Sequence, residues 1–169
     1  TVLENVELAL LRFDDKKTRR EKARELIEKV GLIKQINQRG SKLSGGEKQR
    51  TVIARALAKD APIILADEPT GNLDVKSSRE IAKLLKDVSK DKLVIVVTHN
   101  PEFFVEYATR RITIFDGSVK EDKVIEKPTE TKNVEIPEVK QSRKKNIKDI
   151  LHIGVLNYRY GRNALCHIQ

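Results

Sequence analysis

The stretch IILADEPTGNLD, residues 63 to 74, sets three carboxylates, Asp67, Glu68 and Asp74, at the end of an apolar run. A buried strand that stops in an acid delivers that acid to its carboxyl edge. There Asp67 suits a magnesium ion and its waters, because hard cations prefer oxygen ligands. Glu68, pointing the other way along a strand-like backbone, suits the polarisation of an attacking water. A second apolar run, LVIVVT, ends in His99 at the corresponding position. Ligands of open parallel sheets bind at that edge, so His99 joins the acids as a candidate. Earlier in the chain, LSGGE places Ser44 and Glu47 at capping-box spacing with Gly45 and Gly46 between them. A helix N-terminus with unpaired N–H groups attracts phosphate, and glycines let it approach the backbone. Each piece alone has a structural explanation: a capped helix, a polar strand end, an unremarkable histidine.

Positioning these groups requires a particular set of elements. TVLENVELALL opens with Thr1 and Glu4 at capping-box spacing, which predicts a short first helix. Ala23, Leu26, Ile27 and Val30 recur at helical spacing up to Gly31, which predicts an amphipathic helix over 17–30 with a glycine stop. Val52, Ile53, Ala56 and Leu57 mark the face of a helix that begins at Ser44. PIILA and LVIVVT are continuous apolar runs, as expected of strands buried on both faces in a parallel sheet. Ile81, Leu84, Leu85 and Val88 give a helix between them, so the region reads as a βαβ unit with a right-handed crossover. PEFFVEYA is expected to form a short helix with Pro101 in its first turn. RRITIF, then Asp-Gly, then SVKEDKVI reads as an antiparallel hairpin.

The chain has 169 residues, 35% of them charged and 4% aromatic, with a formal net charge of +9. That length supports one domain with a real core. No secretory signal or run of membrane-spanning length is visible. The single cysteine, Cys166, excludes an internal disulfide and fits a reducing compartment. The basic residues are scattered among acids, which favours a solvated surface over a nucleic-acid patch. Thr stands at position 1 and Met is absent, so a cut or processed chain is expected. Residues 126–145 are polar and aperiodic, as in a linker. NIKDILHIGVLNYRY, within 146–169, reads as an amphipathic basic helix able to lie at a membrane interface.

Taken in order, LSGGEKQR, ILADEPTGNLD and VIVVTHN strongly resemble the nucleotide-binding domain of ABC-type ATPases, from Thr1 to about Gly117. The resemblance implies an α/β, P-loop NTPase-like three-layer fold, incomplete at the N-terminus, with a helical signature subdomain over about 1–60. The core would occupy about 61–125. It implies ATP and Mg2+ as ligands. Ser44, Gly45, Gly46 and Glu47 would be the signature that meets ATP on the opposite subunit, with Glu47 where glutamine is commoner. Asp67 would support the metal, and Glu68 would be the general base. Asn72 and Asp74 would lie in a loop crossing the dimer interface, and His99 would be the switch residue at the γ-phosphate. The residues after DEPT resemble the branch that includes lipoprotein-release and macrolide-export transporters. In some bacterial members of that branch the ATPase and permease are fused in one chain, and the C-terminal segment resembles the one that leads into the permease there. The alternative is a helix that packs back on the ATPase domain.

The implied function is ATP hydrolysis at the cytoplasmic face of the cell membrane, powering export or extraction, with a second nucleotide-binding domain and a permease as partners and no nucleic acid. The alternative is a non-catalytic remnant or accessory partner that lends its signature to a complete subunit. The 169 residues hold no G-x-x-x-x-G-K-[ST] loop, the usual cradle for β- and γ-phosphates. They therefore carry half of each composite site, and the chain alone is expected to be inactive.

Overall fold

The computed structural model describes residues 1–13 and 15–126. They fall in two compact units, Thr1–Ala108 and Thr109–Gln169, the second described only to Glu126. The expected linker from 127 onward and the basic amphipathic helix lie outside the described residues.

The first unit opens with α1 (Val2–Ala9), capped by Thr1, whose hydroxyl accepts from the Glu4 N–H at 3.2 Å. Helix α2 (Lys16–Lys29) starts at Asp15, which accepts from the Lys17 and Thr18 N–H groups. It ends in a Schellman motif: Leu32 N–H donates to Ile27 O and Gly31 N–H to Glu28 O. Gly31 sits at φ 72°, the left-handed conformation that this motif requires. Leu32 and Ile27 are both buried, completing the motif's apolar contact.

Helix α3 (Gly45–Ala58) begins at Ser44 as the spacing predicts, but its buried face is turned from the expected one. Thr51, Ile53, Ala54, Leu57 and Ala58 face the core, whereas Val52 is 46% exposed. The i, i+1, i+4, i+5 pattern of apolar residues fits either register, and the small alanines decide it because they let neighbouring backbones approach. Leu3, Val6 and Leu10 of the first segment, Ala23 and Ile27 of α2, and Ile53 and Leu57 of α3 belong to one buried cluster.

Strands β1 (Ile63–Asp67) and β2 (Leu93–Val97) pair in parallel, with Ile63 opposite Leu93 and Asp67 opposite Val97. Helix α4 (Val75–Val88) connects them and buries Ser78, Ile81, Ala82, Leu85 and Val88, close to the expected stripe. The expectation of burial on both faces is not met. Ile64, Ala66, Val94 and Val96 join the core cluster, while Leu65 is 76% and Val97 61% exposed. Among the described residues, one face of this sheet is covered by helices and the other, equally apolar, carries no layer. PEFFVEYA forms only a 3-10 turn, Pro101–Phe103, because Asn100 supplies no side-chain cap and Phe104 ends the turn.

The second unit is the expected hairpin. Strand β3 (Arg110–Phe115) pairs antiparallel with β4 (Ser118–Val124), with a bulge between Thr113 and Ile114. Asp116 and Gly117 lie at φ 49° and 69°, both positive as a type I′ connection demands. Arg110 holds Asp122 through two hydrogen bonds across the pair. No helix among the described residues is long and apolar enough to cross a membrane.

Candidate nucleotide site

Strand alternation places Asp67 with Ile63 and Leu65 on the uncovered face of the sheet, at its carboxyl edge. The strand ends there. Glu68 takes φ 44°, so it does not continue in the strand-like conformation expected of it. Its N–H still donates to Val97 O at 2.9 Å, which fixes the turn to the end of β2. The chain then folds back through a tight turn in which Gly71 N–H donates to Glu68 O.

That turn aims the Glu68 carboxylate at the residues following β2. Oε1 accepts from the His99 N–H at 2.8 Å and lies 2.7 Å from His99 Nδ1. Oε2 accepts from the Thr98 hydroxyl at 3.1 Å. Thr98 Oγ1 in turn accepts from the Asn100 N–H. Partial burial pushes the Glu68 carboxyl up, but the hydrogen bonds from His99 and Thr98 outweigh it, and its pKa lies below the ordinary value. The group is therefore an ionised acceptor at neutral pH. Nδ1–H donation to that carboxylate leaves His99 Nε2 directed away from Glu68, and the ring is largely exposed. Thr98 was not singled out in the sequence. Its only signal there is its place between a strand and His99.

The signature segment stands on the other side of the Glu68–Asp74 turn. Ser44 N–H donates to Glu47 Oε2 at 2.8 Å, and Glu47 N–H to Ser44 Oγ at 3.3 Å, a reciprocal capping box. The bond from Ser44 N–H holds the Glu47 carboxyl below its ordinary pKa. The Gly45 and Gly46 N–H groups, first in the helix, have no acceptor within it. Asn72 is exposed, and its carbonyl lies beside Gly45. Asp74 caps α4, accepting from Ser77 N–H at 2.9 Å and Ser77 Oγ at 2.7 Å. Among the described residues no hydrogen bond joins Ser44–Glu47 to Glu68 or His99. The fold thus forms two groups: Asp67, Glu68, Thr98 and His99 at the sheet edge, and Ser44–Glu47 against Asn72–Ser77.

Residues 1–71 match the protein family described as ABC transporter. The chain is similar to ABC transporter ATP-binding proteins over most of its length. It is 46% identical over 123 residues to an uncharacterised ABC transporter ATP-binding protein of Methanocaldococcus jannaschii, covering 72% of this chain and 54% of that one. A counterpart from Thermotoga maritima is 47% identical over 122 residues, covering 71% and 52%. The macrolide export ATP-binding/permease protein MacB of Chlorobaculum tepidum is 42% identical over 124 residues, 73% of this chain and 19% of that protein. The chain thus spans about half the length of the ATP-binding proteins it matches. Among solved structures, the dimeric ABC transporter cassette MJ0796 superposes with a TM-score of 0.64 at 39% identity, covering 75% of this chain and 57% of that one. A post-hydrolysis state of the same cassette, bound to ADP and Pi, gives 0.63 at 38% identity, with the same coverage. The fold is that of ABC ATPase cassettes, a P-loop NTPase fold.

The residues present offer two separate sets of groups whose chemistry suits MgATP. The Gly45 and Gly46 N–H groups and the Ser44 hydroxyl offer donors suited to phosphate oxygens. Asp67 offers one exposed carboxylate, and no group of three or more His, Cys, Asp or Glu able to hold a metal occurs among the described residues. Magnesium is commonly held by one or two carboxylates plus phosphate oxygens and water, so Asp67 suits a supporting role and not a complete site.

Proposed function

We propose that this chain is the acid-and-switch half of one ATP site and the signature half of another in an ABC transporter that hydrolyses ATP. The observation that carries the proposal is the Glu68–His99 pair, two hydrogen bonds at 2.7 and 2.8 Å at the carboxyl edge of a parallel strand pair. In this reading Glu68, ionised and held by His99 and Thr98, accepts a proton from the attacking water. His99 presents Nε2 to the γ-phosphate. Asp67 supports Mg2+, which neutralises charge on the phosphate oxygens when bound. Ser44, Gly45 and Gly46 donate to the phosphate of the facing subunit, while Glu47 is held in its capping bond from Ser44 N–H. Phosphoryl transfer needs little covalent chemistry from the protein, so positioned charge of this kind supplies most of the catalysis.

A second cassette and a permease are the proposed partners, at the cytoplasmic face of the membrane. The dimeric cassette and the ATP-binding/permease name of MacB support that reading, and the MacB name favours export. Phosphate release from MgATP by the full-length gene product tests it. Steady turnover is expected; no release above the uncatalysed rate would contradict the proposal.

A further inference from the structure

The two signature glycines meet different surroundings. Gly45 is exposed, and a Cβ there would come 3.0 Å from Leu73 Cδ2. That atom is the far end of a partly buried side chain, which gives more readily than a Cβ or backbone. Gly46 is buried, and its Cβ would fall 3.0 Å from Ser77 Oγ and 3.2 Å from Ser77 Cβ. Both contacts are tighter than ordinary packing, so Ser77 would have to give by a few tenths of an ångström.

Ser77 has little room to yield. Its Cβ is fixed by the backbone of α4, and its N–H and hydroxyl both donate to Asp74. The next turn of the two helices is tied by Arg50 Nη1 to Glu80 Oε2 at 2.7 Å. The space that a side chain at position 46 would need is thus already held by this chain itself.

We propose that Gly46 is required by Ser77 of the same chain, and that Ser77 is a positioning residue for the signature. The pair seats the first turn of α3 against the first turn of α4. The Ser44–Glu47 donors are thereby held in register with the Asn72–Asp74 loop, so the two move as one piece. The consequence for turnover rests on the ATPase reading above; the packing itself does not.

The test is a double-mutant series in the full-length gene product: Gly46→Ala, Ser77→Gly, the two combined, and Gly46→Ala with Ser77→Ala. Two readouts apply, phosphate release and amide hydrogen exchange of residues 44–50. Ala is the better helix former, so faster exchange at Gly46→Ala reports the contact, and recovery of turnover in the combined variant separates it from a Cβ that merely blocks phosphate. Gly46→Ala is expected to lower kcat by up to about tenfold, less than the roughly hundredfold loss that a misplacement of about 1 Å brings. It is also expected to speed exchange over 44–50 while residues 53–58 stay protected, which a general loss of structure would not do. Combining it with Ser77→Gly restores both readouts to those of Ser77→Gly alone. Ser77→Ala restores them partly, since its Cβ remains. If the combined variant is no better than Gly46→Ala in either readout, the proposal is overturned. If the wild type releases no phosphate, the ATPase reading fails, and the exchange series alone decides: recovery supports the packing proposal and its absence overturns it.

Discussion

Glu68→Gln in the full-length gene product is expected to abolish sustained ATP hydrolysis while leaving ATP binding intact. Glutamine keeps the length and volume of the side chain. Its carbonyl in the place of Oε1 still accepts from the His99 N–H and Nδ1–H, and the Thr98 hydroxyl turns to accept from the amide in the place of Oε2. What disappears is the anionic acceptor for a proton. A general base contributes about 10²- to 10⁴-fold, so turnover should fall by at least the lower figure. Because hydrogen bonds from His99 and Thr98 hold the carboxyl below its ordinary pKa, the native group is already ionised at neutral pH. The loss therefore measures removal of charge and basicity, not a change of protonation. Phosphate release measured beside equilibrium binding of labelled ATP separates the two effects. Undiminished hydrolysis would remove Glu68 from its role.

Ile81→Ala is expected to produce the largest loss of stability. Ile81 is 0% exposed, in the middle of the buried face of α4, and α4 joins the two strands that carry Asp67 and His99. Truncation removes transfer energy and leaves a cavity, together costing about 2–5 kcal/mol. A domain has only about 5–15 kcal/mol in all, so the urea midpoint should drop sharply. A change under about 1 kcal/mol, the centre of the ordinary mutational range, would mean that α4 does not seat on this core.

Much of the frame is legible in the sequence because each signal has a local cause. The Ser44–Glu47 and Thr1–Glu4 capping boxes form as their spacing predicts. Gly31 stops α2 by the one conformation that suits glycine, and Asp116–Gly117 turns the hairpin for the same reason. Other features depend on partners that local patterns do not name. Apolar runs in β1 and β2 show that both faces suit burial, yet among the described residues only the face carrying Ile64 and Val94 has helices over it. The face of α3 turned on Thr51 and Ala54, residues too polar or too small to stand out as a stripe.

At the site, the sequence places the acids and His99 together at one carboxyl edge. The hydrogen bonds between Glu68 and His99 are not legible there, because they depend on the left-handed turn at Glu68 and on the register that sets Asp67 opposite Val97. Thr98 and Ser77 escaped notice for a related reason. Each acts through a hydrogen bond to a residue that the sequence does single out.

In the proposed function these residues supply one half of each of two nucleotide sites. Titration of MgATP into the 169-residue chain by calorimetry tests it most directly. With no phosphate-cradling loop among those residues, no saturable heat is expected at millimolar nucleotide, a regime in which binding is worth only about 4 kcal/mol. Saturable binding at micromolar concentration would contradict the claim, since the sheet edge and the signature would then form a complete site without further residues.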